Sequence, residues 1–116
     1  MSFFIDHNKE HKRKKRAKED ILCYKYLSSD MRSYYYKDWP PYKLGERNER
    51  IRLKKDYGDR IRVGYHTYST IESFSENFKP GAYFNINPKK CIPVSCIIPK
   101  GTRYYYNSTS HKYVSE

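Results

Sequence analysis

Between residues 49 and 63 the chain alternates with a period of two. Arg50, Arg52 and Lys54 interleave with Ile51 and Leu53, and Arg60 and Arg62 interleave with Ile61 and Val63. Successive side chains of a strand point to opposite faces, so this pattern calls for half-buried strands rather than a helix of 3.6-residue period. Lys55-Asp56-Tyr57-Gly58-Asp59 lies between the two runs as a turn, which predicts a β-hairpin with one apolar and one basic face. A one-residue slip in register would bury the charges, so the division is strongly specified. Glu49 has the opposite parity, leaving no acid of either strand on the basic face. Like charges on neighbouring strands oppose pairing, and a polyanion would relieve them. Two-stranded ribbons are known readers of nucleic acid. The plain alternative is a solvated strand face.

The rest of the chain supports one small α+β domain over residues 21–116. Residues 21–27 are predicted as a buried first strand, Ser33-Tyr34-Tyr35-Tyr36 as a short second one, and Trp39-Pro40-Pro41-Tyr42 as a rigid extended connection. Ser69 and Glu72 have capping-box spacing and open a short helix over about 69–78, with Ile71, Phe74 and Phe78 along one side and Lys79-Pro80-Gly81 as its stop. Residues 91–98 form a further strand, Pro99-Lys100-Gly101 a turn, and residues 102–106 and 112–115 a final hairpin. The expected architecture is a mainly antiparallel sheet of five or six strands with one packed helix and a basic N-terminal helix or arm.

That arm, residues 1–20, is predicted to be a separate element. Ala17 is the only apolar residue between Asp6 and Asp20, and residues 9–18 carry seven basic side chains against one acid. A segment without an apolar stripe has nothing to bury as a helix. Lys12, Arg13, Lys14, Lys15 and Arg16 are candidate phosphate contacts with strong salt dependence. A solubilising tail is the alternative, and deletion of residues 1–19 is expected to leave the thermal midpoint unchanged.

Composition bounds the function. Lys and Arg number 24 against 13 Asp and Glu, a net charge of +11 that attracts nucleic acid, anionic membranes or acidic proteins. The arm lacks the apolar face of a membrane anchor, and no apolar run approaches the roughly 20 residues of a spanning helix. Cys23, Cys91 and Cys96 have no paired zinc-ligand spacing. Their odd number, with no signal segment, implies reduced thiols in a cytoplasm. Tyr occurs 14 times. Tyr34, Tyr36 and Trp39 are candidate stacking platforms for unpaired bases, although the alternating members of each aromatic triplet are expected to pack in the core.

Enzymatic readings are weak. His7-Asn8-Lys9-Glu10-His11 matches an inverted zinc-protease pattern but sits among cations that oppose a metal dication. Gly64-Tyr65-His66-Thr67 faintly resembles the opening strand of ADP-ribosyltransferase domains, which need more than the residues that follow here. No Ser/His/Asp or Cys/His arrangement and no phosphate-cradling glycine loop is present. No cofactor, metal or small-molecule substrate is expected.

Tyr42-Lys43-Leu44-Gly45-Glu46, Gly64-Tyr65-His66-Thr67-Tyr68 and Cys96-Ile97-Ile98-Pro99-Lys100-Gly101-Thr102-Arg103-Tyr104-Tyr105 together resemble segments of small phage and prophage proteins, especially those of Bacteroidetes. The resemblance covers about residues 21–115 and carries no catalytic residues. It implies a phage-borne accessory protein in the bacterial host cytoplasm. By analogy of class it implies a non-catalytic inhibitor of host immunity of the anti-CRISPR type, engaging RNA or a CRISPR effector ribonucleoprotein. The rival expectation is a protein-only phage module that binds an acidic protein surface.

Overall fold

A computed structural model describes residues 3–32, 41–55, 58–75 and 91–116, and of Arg62 the backbone alone. Strong β patterning yields nine short strands in this part of the chain: β1 Phe3–Phe4, β2 Lys15–Arg16, β3 Ile21–Ser28, β4 Lys54–Lys55, β5 Arg60–Val63, β6 Tyr65–Tyr68, β7 Cys91–Ile98, β8 Arg103–Asn107 and β9 Lys112–Ser115. Among the described residues a single helix, α1, spans Ile71–Ser75. Six strands form an antiparallel sheet in the order β2-β8-β9-β6-β3-β7, as expected in number and direction. The other three form a second antiparallel sheet, β1-β5-β4, which the sequence did not reveal.

The backbone of the larger sheet is the β3–β7 pair, in register from Ile21↔Ile98 to Ser28↔Cys91. Alternation along β3 sorts its side chains between two cores. One face holds Tyr26, Tyr68 and Cys91, with Tyr24 and Phe74 packed against them. The opposite face holds Cys23, Ile98 and Ala17, with Ile21, Cys96, Tyr104 and Tyr113 alongside. A third cluster joins the two sheets: Phe3, Ile5 and Ile61 meet Val114, flanked by Leu53 and Tyr105.

The chain crosses from the smaller to the larger sheet at Gly64. Its φ of +148° disfavours an L side chain, and a Cβ there would stand 2.5 Å from Leu53 Cδ2 and 2.6 Å from Val114 Cγ2. Absence of a side chain is what lets the smaller sheet close onto β9.

Helix α1 begins one residue later than the capping box predicts. Ser69 Oγ is turned away and donates to the His111 carbonyl (3.0 Å). Thr70 Oγ1 accepts the Ser73 amide instead (3.1 Å), making Thr70 the N-cap. Phe74 anchors the helix, with its ring centroid 5.9 Å from those of Tyr26 and Tyr68, whereas Ile71 is exposed. Phe78 and the proposed helix stop lie outside the described residues, as do Tyr34, Tyr36 and Trp39.

The expected N-terminal helix is not formed. Phe3 pairs with Ile61 in β1–β5, and Lys15 and Arg16 pair with Tyr104 and Arg103 in β2–β8. Phe3, Ile5 and Ala17 are all buried. Three well-spaced apolar residues thus suffice to tie the segment down, because each fills a site supplied by distant parts of the chain. Backbone bonds reinforce them: Ile5 N to Asp59 O (2.7 Å), Ala17 N to Thr102 O (2.9 Å) and Gly101 N to Ala17 O (2.8 Å). Asp6 accepts hydrogen bonds from the Ser108 hydroxyl and the Ser108 and Asn8 amides, which draw its pKa down to about 2.

Candidate nucleic-acid interface

The cationic run of the N-terminal segment is displayed rather than packed. Lys12, Arg13, Lys14 and Arg16 are exposed, and Lys15 is half-buried opposite Tyr104. Strand β2 holds Lys15 and Arg16 at one edge of the larger sheet. Charged side chains on a two-residue edge strand also discourage further strand pairing. Arg16 Nη1 donates to the Gly101 carbonyl (3.2 Å), and the Lys100 amide donates to Asp20 Oδ1 (2.9 Å), fixing the run against the 99–101 turn.

Arg16 stands in register with Arg103 on β8. Arg103 in turn lies 3.7 Å from Glu116 Oε1 through its Nε, and the same carboxylate oxygen accepts from Arg50 Nη2 at 2.9 Å. Glu116 is 3% exposed, whereas Arg50 is 63% exposed. A buried carboxylate therefore gathers guanidiniums from β8 and from the start of the hairpin segment, with Arg16 on the strand next to β8. The single side-chain carboxylate of Glu116 is shared by the two guanidiniums of Arg103 and Arg50. The two basic regions that the sequence separates by more than thirty residues are joined here.

The hairpin itself is shorter than the alternation predicts. Residues 50–53 are not in a strand; β4 consists of Lys54–Lys55 and pairs with β5 through a register shift between Lys54 and Lys55. The apolar side is as expected in kind: Ile61 is fully buried, and Ile51, Leu53 and Val63 are half-buried. The basic side is not one continuous open patch. Arg52 and Lys54 are exposed, Arg60 is half-buried, and Arg50 is committed to Glu116. The expectation concerned acids of the two hairpin strands alone, and the carboxylate that meets Arg50 comes from beyond β9. The Ile51 amide bonds the Glu116 carbonyl (3.1 Å), which displaces this stretch from ladder pairing with β5.

The tyrosine triplet of β8 follows strand parity. Tyr105 packs on the inter-sheet core, while Tyr104 and Tyr106 lie at 5.8 and 4.9 Å from the Tyr113 ring on the opposite face. These rings are packing elements. The two histidines of the zinc-protease pattern diverge: His7 Nε2 is 3.4 Å from Asp59, and His11 makes an edge contact with Tyr106 at 5.0 Å. His66 is buried within β6. Among the described residues no group of three or more His, Cys, Asp or Glu side chains is placed to hold a metal ion. No helix of the described residues is long and apolar enough to cross a membrane.

Arg103 and Glu116 are the participants that sequence reasoning missed. Arg103 sits within a tyrosine-rich strand and Glu116 beyond it, and only the β2–β8–β9 ladder brings them to Arg16 and Arg50. Compared with known proteins, the chain matches no family model, no curated protein and no solved structure.

Proposed function

We propose that this protein is a non-catalytic binder of RNA, alone or within a ribonucleoprotein, through the cationic edge formed by Lys12, Arg13, Lys14 and Arg16 with Arg103 and Arg50. The observation that carries this reading is the anchoring of an exposed basic run on a folded edge. Phe3, Ile5 and Ala17 are buried on either side of it, so its charges are held in place at little further ordering cost when a phosphate chain docks. Glu116 keeps Arg50 and Arg103 oriented and moderates their mutual repulsion. The side chains of Arg52 and Lys54 add a second, smaller cationic surface. The narrower form of the proposal, an inhibitor of RNA-guided bacterial immunity, draws on the phage-protein resemblance.

The test is a salt titration of binding to a single-stranded RNA, with wild-type protein beside Lys14→Glu/Arg16→Glu and Arg52→Glu/Lys54→Glu. Loss of two phosphate contacts should reduce the slope of log affinity against log salt by about 1.4, at roughly 0.7 per contact for single strands. The N-terminal pair should show that reduction and the hairpin pair less. Wild-type protein that fails to bind RNA, or a folded N-terminal variant with unchanged affinity and slope, overturns the reading. Capture of a partner that survives nuclease treatment and requires the same residues would point instead to an acidic protein surface.

A further inference from the structure

Cys23 and Cys96 face each other directly across the β3–β7 ladder. Pro93, opposite Tyr26, has no N–H and must occupy a non-hydrogen-bonded pair. Counting along the ladder, Cys23–Cys96 is then a hydrogen-bonded pair, for which Cα atoms stand about 5.5 Å apart. That separation is within the roughly 4.4–6.8 Å that a disulfide spans, but the Cβ atoms of a hydrogen-bonded pair start about 5.5 Å apart, so closing the bond draws the strands together and leaves a strained, readily reduced bridge. The two thiols are not equivalent. Cys23 is fully buried, and its Sγ lies 3.5 Å from the Cys96 carbonyl, while Cys96 is half-buried and reachable.

Lys25 lies two residues along the same face as Cys23. Its Nζ donates to the His66 carbonyl (2.8 Å) and lies 5.5 Å from the Tyr42 ring centroid. A lysine amine held inside a sheet face beside two thiols has no role in the cationic edge. Burial pushes its pKa down to about 8, so part of it is neutral near neutrality. A side-chain hydrogen bond between the two thiols, with a further contribution from Lys25, draws the Cys96 thiol down, whereas that bond and burial raise that of Cys23.

We propose that Cys23 and Cys96 form a thiol–disulfide exchange site for low-molecular-weight disulfides, with Cys96 as the attacking thiol, Cys23 as the resolving thiol and Lys25 as the proton acceptor. In the first step the Cys96 thiolate attacks one sulfur of the reagent. The reagent's S–S bond breaks, a Cys96 mixed disulfide forms, and the departing thiolate takes up the proton that Cys96 released. In the second step the Cys23 thiol passes its proton to the Lys25 amine and its sulfur attacks that of Cys96. The Cys23–Cys96 bond forms, and the second small thiolate leaves with the proton from Lys25. Two protein thiols are oxidised and one small disulfide is reduced to two thiols. Cys91 is an internal control, because its cross-strand partner is Ser28.

The experiment incubates the native full chain with oxidised glutathione, quenches in acid, and counts alkylatable thiols by mass spectrometry after denaturation. Wild type should lose two of its three free thiols and yield a peptide cross-link between Cys23 and Cys96. Cys23→Ser should stop as a glutathione mixed disulfide on Cys96, and Lys25→Met should accumulate the same intermediate before resolving. Retention of all three thiols in wild type under excess oxidised glutathione, or a cross-link that contains Cys91, overturns the proposal without requiring any variant to fold.

Discussion

Residues 3–20 and residues 50–63 carry seven and six Lys and Arg residues respectively, yet they are held in the fold in different ways. The N-terminal segment has no periodic pattern, and its exposed run is bracketed by Phe3, Ile5 and Ala17, each at most 6% exposed. The hairpin segment has the clearest alternation in the chain, but only Ile61 among its described apolar residues is buried, and residues 50–53 form no strand. Periodicity decides which face a residue occupies once a strand exists. It does not supply the partner that makes the strand. A few apolar side chains with distant sites to fill can order a segment that looks unstructured by composition.

The largest expected effect comes from testing those anchors. Phe3→Ala should destabilise the protein by about 3–5 kcal/mol, as for deletion of a fully buried ring. Leu53→Ala, which removes a half-buried hairpin residue, should cost about 1–2 kcal/mol. Urea unfolding of both variants measures the difference, and an equal or smaller cost for Phe3→Ala would restore the N-terminal segment to an appendage. The expectation that residues 1–19 can be deleted without loss of stability is reversed by the burial of Phe3, Ile5 and Ala17.

The junction between the hairpin and the larger sheet comes next. Gly64→Ala should cost about 1–3 kcal/mol, because the added methyl must push aside both Leu53 and Val114. Gly58→Ala, with nothing within 4 Å of its would-be Cβ, should cost less and serves as the reference. Matching unfolding midpoints for the two variants would mean that the smaller sheet can move off β9 without penalty.

The smallest effect is a pH dependence of the N-terminal anchor. The Asp6 pKa lies near 2 in the fold, below its ordinary value of 3.8. Its contribution to stability is therefore fully present above about pH 4 and is lost as pH falls through 3.8 toward 2. Asp6→Asn should flatten the acid limb of the stability profile over that window, as read from denaturant midpoints at a series of pH values. A profile parallel to that of wild type would show that Ser108 and Asn8 do not hold the carboxylate.

Several elements were legible because their signals are local. The apolar run at 91–98, the Pro-Lys-Gly turn and the parity of Tyr104, Tyr105 and Tyr106 need only strand geometry and turn chemistry to be read. The helix start was displaced by one residue because Ser69 found a carbonyl at His111, a competitor outside the local window. The candidate interface was half legible. Its lysines and arginines stand in the sequence as charge runs, but Glu116 and Arg103 join them only through strands that are distant in the chain.

By itself, then, the sequence determined an excess of positive charge, a β-rich antiparallel body and the division of each strand into two faces, because these follow from residue chemistry and a period of two. The tertiary structure decided which strands are neighbours, that the basic N-terminal run is an edge rather than an arm, that one buried carboxylate links Arg50 and Arg103, and that Cys23 stands across from Cys96. Those outcomes depend on strand order and register between segments as much as a hundred residues apart. No local pattern records them, since they are selected by the joint burial of side chains such as Phe3, Ile61 and Val114.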